Sequence, residues 1–314
     1  MISYREQLAK IGYSTSQSVL YRDFFLAPSS LREIMRSMDF PNKFWEEIPG
    51  DELDQNWTNE VQGCAFAHNR WFFTSNAEGK RLHVFDGPTG QKIKSWSLDN
   101  LPPPEPPLPG FSIYHVGAII INGNQIYIDH WCDAGGQILV FEGDGATLNF
   151  SKWIPLKNPN GRVGMIAIDF TNRRVITSLG KINIDQVYLH DLDTGEFLNK
   201  TLTLNPGITD GCYAQGGFLS PNNHLYISSG QGGILDSSKG YQYIYCYSLL
   251  NGKLMNSIPV RSAAGRQELQ GCCYANITRE GKNVFIHAVL LENEPGAKDD
   301  IFLKSFTADL PELI

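Results

Sequence analysis

The residues best suited to chemistry crowd into one stretch: His115, then Asp129-His130-Trp131-Cys132-Asp133. Gln62, Arg162, Asp210, Glu268 and Gln270 are spread along the rest of the chain. Three kinds of chemistry fit such a set. An imidazole beside a carboxylate runs general acid–base catalysis when burial brings their pKa values together, which makes His115, His130 and Asp210 the candidate catalytic groups. Carboxylate oxygens and imidazole nitrogens hold divalent cations, with Asp133 and Asp210 as candidate ligands and Ca²⁺ as the candidate ion. Amides, a guanidinium, a carboxylate and an indole ring hold a small polar molecule or a glycan. Gln62, Arg162, Trp131, Glu268 and Gln270 are the candidates for that role.

Each of these residues also has a structural reading. His115 can hydrogen-bond a neighbouring strand, Asp133 and Asp210 can cap turns, and Trp131 can fill a gap between sheets. Cys64, Cys212 and Cys272 each follow a glycine at what reads as one repeat position. Repetition of that kind favours packing over nucleophilic catalysis. The chain carries no GxSxG elbow, no HExxH and no phosphate-cradling GxxxxGK[ST].

What must position these groups is a repeat. Five segments place a glycine among apolar or small residues: VQGCAF around Gly63, HVGAII around Gly117, RVGMIAI around Gly164, TDGCYA around Gly211 and LQGCCY around Gly271. The glycines are 54, 47, 47 and 60 residues apart. After each comes a second apolar run (WFFTS, IYIDHW, VITSL, LYISS, VFIHAVLL), then a third (LHVFDG, ILVFEG, VYLHDL, IYCYSL, IFLKSF). In the first four copies a turn carrying Gly90, Gly145, Gly195 or Gly252 leads to a fourth run. Four short strands per unit, repeated five times, predict an all-β fold: a five-bladed β-propeller. The first unit is lengthened by the proline-rich linker Leu101–Gly110, the fourth by a loop ending at Gly240.

The fifth unit stops short of a fourth strand, so SVLYRDFFL (Ser18–Leu26) is the expected closing strand, followed by a short helix starting at the Ser30/Glu33 capping box. Residues 1–56 then belong to the same domain as the propeller at 57–314. On such a ring the inner-strand entrances and the loops between second and third strands share one face, which collects the candidate residues named above.

Length and composition agree with this reading. In 314 residues, 26 Lys and Arg stand against 33 Asp and Glu, a net charge of −7, without the basic stripe of a nucleic-acid binder. Thirty Gly and 17 Pro with 42% hydrophobic residues suit a turn-rich, strand-rich core. No run is long enough for a membrane span. The N-terminus lacks a cationic start followed by an apolar run, and the six cysteines form no CxxC pair. A cytoplasmic, reducing location is the expectation, with secretion as the alternative.

Three segments carry a resemblance: VQGCAF, DGCYAQGGFLSPNNHLYISSG, and RQELQGCCY with DDIFLKSF at the end. In them the chain resembles stand-alone five-bladed propellers of the receptor-binding and teichoic-acid-associated type, over most of residues 57–307. That resemblance implies binding of a glycan or a cell-surface polymer. The open alternatives are a metal-assisted hydrolase, lyase or cyclase using the His/Asp set, and a protein–protein scaffold.

Overall fold

In this computed structural model, the structure describes residues 56–77, 79–104, 115–132, 135–157, 163–221, 223–230, 241–261, 267–279, 282–292 and 299–306. The apolar runs form strands in the order the repeat predicts. Blade 1 comprises β1 (Val61–Ala67), β2 (Arg70–Ser75), β3 (Arg81–Asp86) and β4 (Lys92–Ser97). Blade 2 comprises β5 (His115–Asn122), β6 (Gln125–Cys132), β7 (Gly135–Gly143) and β8 (Leu148–Leu156). Blade 3 comprises β9 (Val163–Asp169), β10 (Arg174–Leu179), β11 (Gln186–Asp191) and β12 (Phe197–Thr203). Blade 4 follows with β13 (Tyr213–Leu219), β14 (His224–Gly230), β15 (Tyr241–Ser248) and β16 (Leu254–Arg261). Blade 5 has β17 (Gln267–Arg279), β18 (Lys282–Glu292) and β19 (Asp300–Phe306).

Within each blade the strands are antiparallel and neighbours in sequence are neighbours in space. The inner strands β1, β5, β9, β13 and β17 adjoin one another in turn, and β17 adjoins β1, so the blades form a closed ring. The expected closing strand and N-terminal helix lie outside the described residues.

The core lies between blades. In β2, Trp71 and Phe73 pack towards blade 5 while Phe72 packs towards blade 2. Both faces of such a strand are covered, which is why it reads as an unbroken apolar run rather than as an alternation. Burial fades outward: β2 is buried almost throughout, whereas β4 is largely exposed. Turns between third and fourth strands repeat one device. Asp86 accepts from the Thr89 N–H at 2.9 Å, and Asp191 from the Thr194 N–H at 2.9 Å. The local Asp side chain closes the turn that Gly90 or Gly195 then exits.

Every inner strand is bulged near its start against its second strand: between Val61 and Gly63, Val116 and Ile119, Ala214 and Gly216, and Leu269 and Gly271, with β17 shifting again between Tyr274 and Ile277. In blade 3 the break lies opposite Thr177 and Leu179. The bulge glycine lets neighbouring inner strands touch backbone to backbone. A Cβ on Gly63 would sit 2.6 Å from Gly117 O, and one on Gly271 would sit 3.0 Å from Gly63 Cα.

This geometry corrects the repeat register in blade 4. The bulge glycine is Gly216 of AQGGF; Gly211 precedes the strand, in a left-handed turn with open space around it. The inner glycines are then 54, 47, 52 and 55 residues apart. Cys212 is therefore not the counterpart of Cys64 and Cys272; Gly217 holds that place. TDGCYA imitates the motif five residues too early, and apolar neighbours alone do not separate the two. Cys64 and Cys272 are both buried; Cys64 Sγ is 3.9 Å from Cys273 Sγ at the blade 1–blade 5 seam, whereas Cys272 bonds Ser228 of blade 4.

Candidate functional site

A cavity of about 330 Å³ opens on the axis at the end where the inner strands begin, and all five blades contribute to its wall. The bulges turn the entrance residues of the inner strands towards this opening. Gln62 comes from blade 1 and Glu268 from blade 5; blade 4 supplies Tyr213 and Gln215. Among the described residues blade 3 offers only Val163, Gly164 and Gly180. Blade 2 is the most heavily equipped, with His115, Asp129 and Trp131.

The blade 2 groups are arranged by strand pairing. His115 stands opposite Trp131 in the β5–β6 ladder, and their rings stack at 4.8 Å with 22° between planes. His115 Nδ1 is buried and has no hydrogen-bond partner among the described residues. Burial, aided by the charge of Lys80 and by His130, pushes its pKa down to about 4, so the ring is neutral at physiological pH. Asp129 lies two residues before Trp131 on the same face of β6, 4% exposed, with its carboxyl against Gly117. Burial pushes its pKa up to about 8, and the amides of Gly117, Ala118 and Asp129 itself offset this only in part. Its Oδ1 has no hydrogen-bond partner among the described residues. Across the cavity, Gln215 Nε2 donates to Glu268 Oε1 at 2.6 Å and ties blade 4 to blade 5.

The site thus takes His115, Trp131, Gln62 and Glu268 from the sequence-based set. It does not bring His115, His130 and Asp210 together. His130 alternates with Asp129 and Trp131 along β6, so it points to the other face, where its ring is buried 6.0 Å from Trp153. Asp210 holds a turn: its Oδ1 accepts from the Cys212 N–H at 2.9 Å and from Ser229 at 3.2 Å, and its Oδ2 accepts from the Tyr245 hydroxyl at 3.0 Å. Gln270 is buried in the bulge of β17 and gives its carbonyl to Ser228 rather than a side chain to the cavity. Asp133 and Arg162 lie outside the described residues.

Among the described residues no three His, Cys, Asp or Glu side chains stand together as a metal site. Of the two candidate Ca²⁺ ligands, Asp210 is engaged in its turn and Asp133 lies outside the described residues.

Two wall residues, Tyr213 and Gln215, are absent from the sequence-based candidates, and Asp129 stands in the blade 2 stretch with no role of its own; β6 carries it and continues to Cys132. The signal for it was present. Aligned in register, the second strands place Asp129 level with Thr74, Ser178 and Ser228, a carboxyl among hydroxyls. Tyr213 and Gln215 were hidden by the misplaced glycine of blade 4.

Fold and cavity together define a five-bladed β-propeller with an axial ligand-sized cavity. No family model matches the chain, nor does any curated protein. Among solved structures, it is similar to the tail fiber of a Staphylococcus aureus phage, with a TM-score of 0.50 and 15% identity over 82% of this chain and 51% of that one. The chain therefore spans about half the length of the tail fiber chain it matches. It is also similar to a GH43 endo-arabinanase from Bacillus licheniformis, with a TM-score of 0.48 and 11% identity over 81% of this chain and 95% of that one. At such identities the likeness is one of fold. No helix among the described residues is long and apolar enough to cross a membrane.

Proposed function

We propose that this chain is a binding module whose axial cavity takes a small polar ligand of the glycan class. One observation carries the reading: two buried side-chain atoms with no partner among the described residues, His115 Nδ1 and Asp129 Oδ1, belong to residues that share one cavity wall with Trp131, whose ring stacks on His115. Buried polar atoms cost stability unless something bonds them. A ligand hydroxyl supplies such a bond, and an indole face suits the apolar face of a sugar ring. The resemblance of the repeats to surface-polymer-binding propellers points the same way. The metal-assisted alternative draws less support, because His115, His130 and Asp210 do not converge on the cavity. Net acidity and the absence of Lys or Arg from the described cavity wall speak against a nucleic acid as the ligand.

Thermal-shift and glycan-array screening of the purified protein tests this proposal. Binding by at least one glycan is expected, with Trp131→Ala weakening it about tenfold or more in calorimetric titration, as loss of a central aromatic anchor does. Trp131 is only half-buried, so the melting temperature should change little. Absence of any binding, or catalytic turnover of a bound glycan, would overturn the reading.

A further inference from the structure

The next step deepens the binding reading and rests on it. One second-strand side chain faces each inner-strand bulge, and in four blades that side chain is neutral: Thr74, Ser178, Ser228 and Val289. All four are fully buried. Two of them fasten the ring. Thr74 Oγ1 donates to Gly117 O of the next blade at 2.5 Å, and Ser228 Oγ donates to Gln270 O of the next blade at 3.2 Å.

Blade 2 departs from this pattern with Asp129. A carboxyl in that position is expensive, because a buried ionisable group without a full set of partners destabilises the fold. Packing does not demand it, since hydroxyl or aliphatic side chains serve the same position four times elsewhere in this ring. The local difference is the cavity: Asp129 lines it, with Oδ1 buried and lacking a partner among the described residues. A group that weakens the scaffold while facing a ligand-sized space is the pattern of a residue kept for recognition.

We infer that Asp129 selects the ligand of the axial cavity, acting as a hydrogen-bond donor to an uncharged, hydroxyl-rich ring. The groups facing it from the other elements agree with that chemistry. His115 from β5 is neutral, the Gln62 and Gln215 amides carry no charge, Tyr213 from β13 adds a phenol, and among the described residues blade 3 adds no ionisable side chain. Among the described residues Glu268 from β17 is the one acidic group opposite, already bonded by Gln215. A carboxylate ligand would meet Glu268 with no Lys or Arg on the described wall to balance it. An ammonium ligand would find its counter-charge at Glu268, whose Oε1 already accepts from Gln215, and not at Asp129, where burial keeps the proton. A neutral ring asks for neither, and it can accept a hydrogen bond from the carboxyl while resting on Trp131.

The test uses the whole chain and two readouts. Carbon-13 NMR of the aspartate carboxyls is compared between wild type and Asp129→Asn from pH 5 to 10, and a glycan array of neutral, acidic and amino sugars is probed at pH 6 and pH 9. One carboxyl signal absent from the variant should titrate near pH 8. Neutral glycans should be captured at pH 6, with at least a tenfold loss at pH 9. Asp129→Thr, which copies blade 1, should melt no lower than wild type yet lose capture at least tenfold. An Asp129 signal titrating below pH 5, or full capture by the Thr variant, overturns the inference. Acidic or amino-sugar hits abolished by Trp131→Ala sink it while leaving the cavity reading intact. An array blank for the wild-type protein sinks both.

Discussion

Unfolding free energy measured across pH should peak near pH 6.5 and fall on both sides, and Asp129→Asn should remove the fall between pH 6.5 and 8. On the acid side, His83 and His115 have folded pKa values lowered from 6.5 to about 3 and about 4, chiefly by burial. The unfolded chain binds more protons than the folded one in that range, so stability is lost as pH drops below 6.5. His190 is shifted the same way by burial. On the alkaline side, Asp129 runs the opposite course. Its folded pKa is raised from 3.8 to about 8, so the folded state holds the extra proton and stability declines as pH climbs through that window. At 1.36 kcal/mol per unit the whole Asp129 effect is at most roughly 6 kcal/mol, with about 2 kcal/mol of it falling between pH 6.5 and 8. Below pH 6.5 the histidines outweigh the aspartate, and above it their contribution fades and the Asp129 decline emerges, with Glu60 shifted in the same direction chiefly by burial. The buried thiol of Cys272, pushed up to about 12 from 9.0, contributes only at higher pH. The exposed Asp–Arg pairs add little. Urea titrations at half-unit intervals check this, and an alkaline limb below pH 9 unchanged in Asp129→Asn would refute the assignment.

The same residue shows what could and could not be read from sequence. Strand count, blade order and the crowding of inner strands follow from apolar runs and glycines, because those residues answer to a global constraint: each sheet has two covered faces and one end at the axis. Register is a finer matter. TDGCYA and AQGGF both satisfy the inner-strand pattern, and only the contact of Gly216 with Gly271 decides between them. Facing is finer still, since His130 and its neighbours Asp129 and Trp131 differ by one position and point to opposite sides of β6. His130 therefore read as equal to His115 although it never reaches the cavity. Asp210 read as a site residue because acidic side chains look alike in sequence whether they cap turns or meet ligands. Its three hydrogen bonds are visible only once Ser229 and Tyr245 are placed beside it. The resolving information was periodic: Asp129 stands out when the five second strands are stacked, and not when its own segment is read alone.

Gly63→Ala should destabilise the protein by about 3 kcal/mol, while Gly211→Ala should cost about 1 kcal/mol. The methyl added at position 63 would stand 2.6 Å from the Gly117 carbonyl and 3.1 Å from Ala118 Cα, both backbone atoms of the next inner strand. Neither can swing aside as a flexible side chain would, so blade 2 must move bodily against blade 1. That movement also strains the Thr74–Gly117 hydrogen bond, which joins the two blades at this height. At Gly211 the added methyl meets open space, and the penalty is confined to a positive φ of 83° that non-glycine residues adopt reluctantly. Both changes add one carbon to a glycine of the repeat as it reads in sequence, so their ratio measures which glycine occupies the axis. Midpoints of urea unfolding at constant m-value give that ratio. Equal, small losses would mean that inner strands do not touch through Gly63, and the axial cavity, whose wall includes Gly117 and His115 of the displaced strand, would lose the scaffold that shapes it.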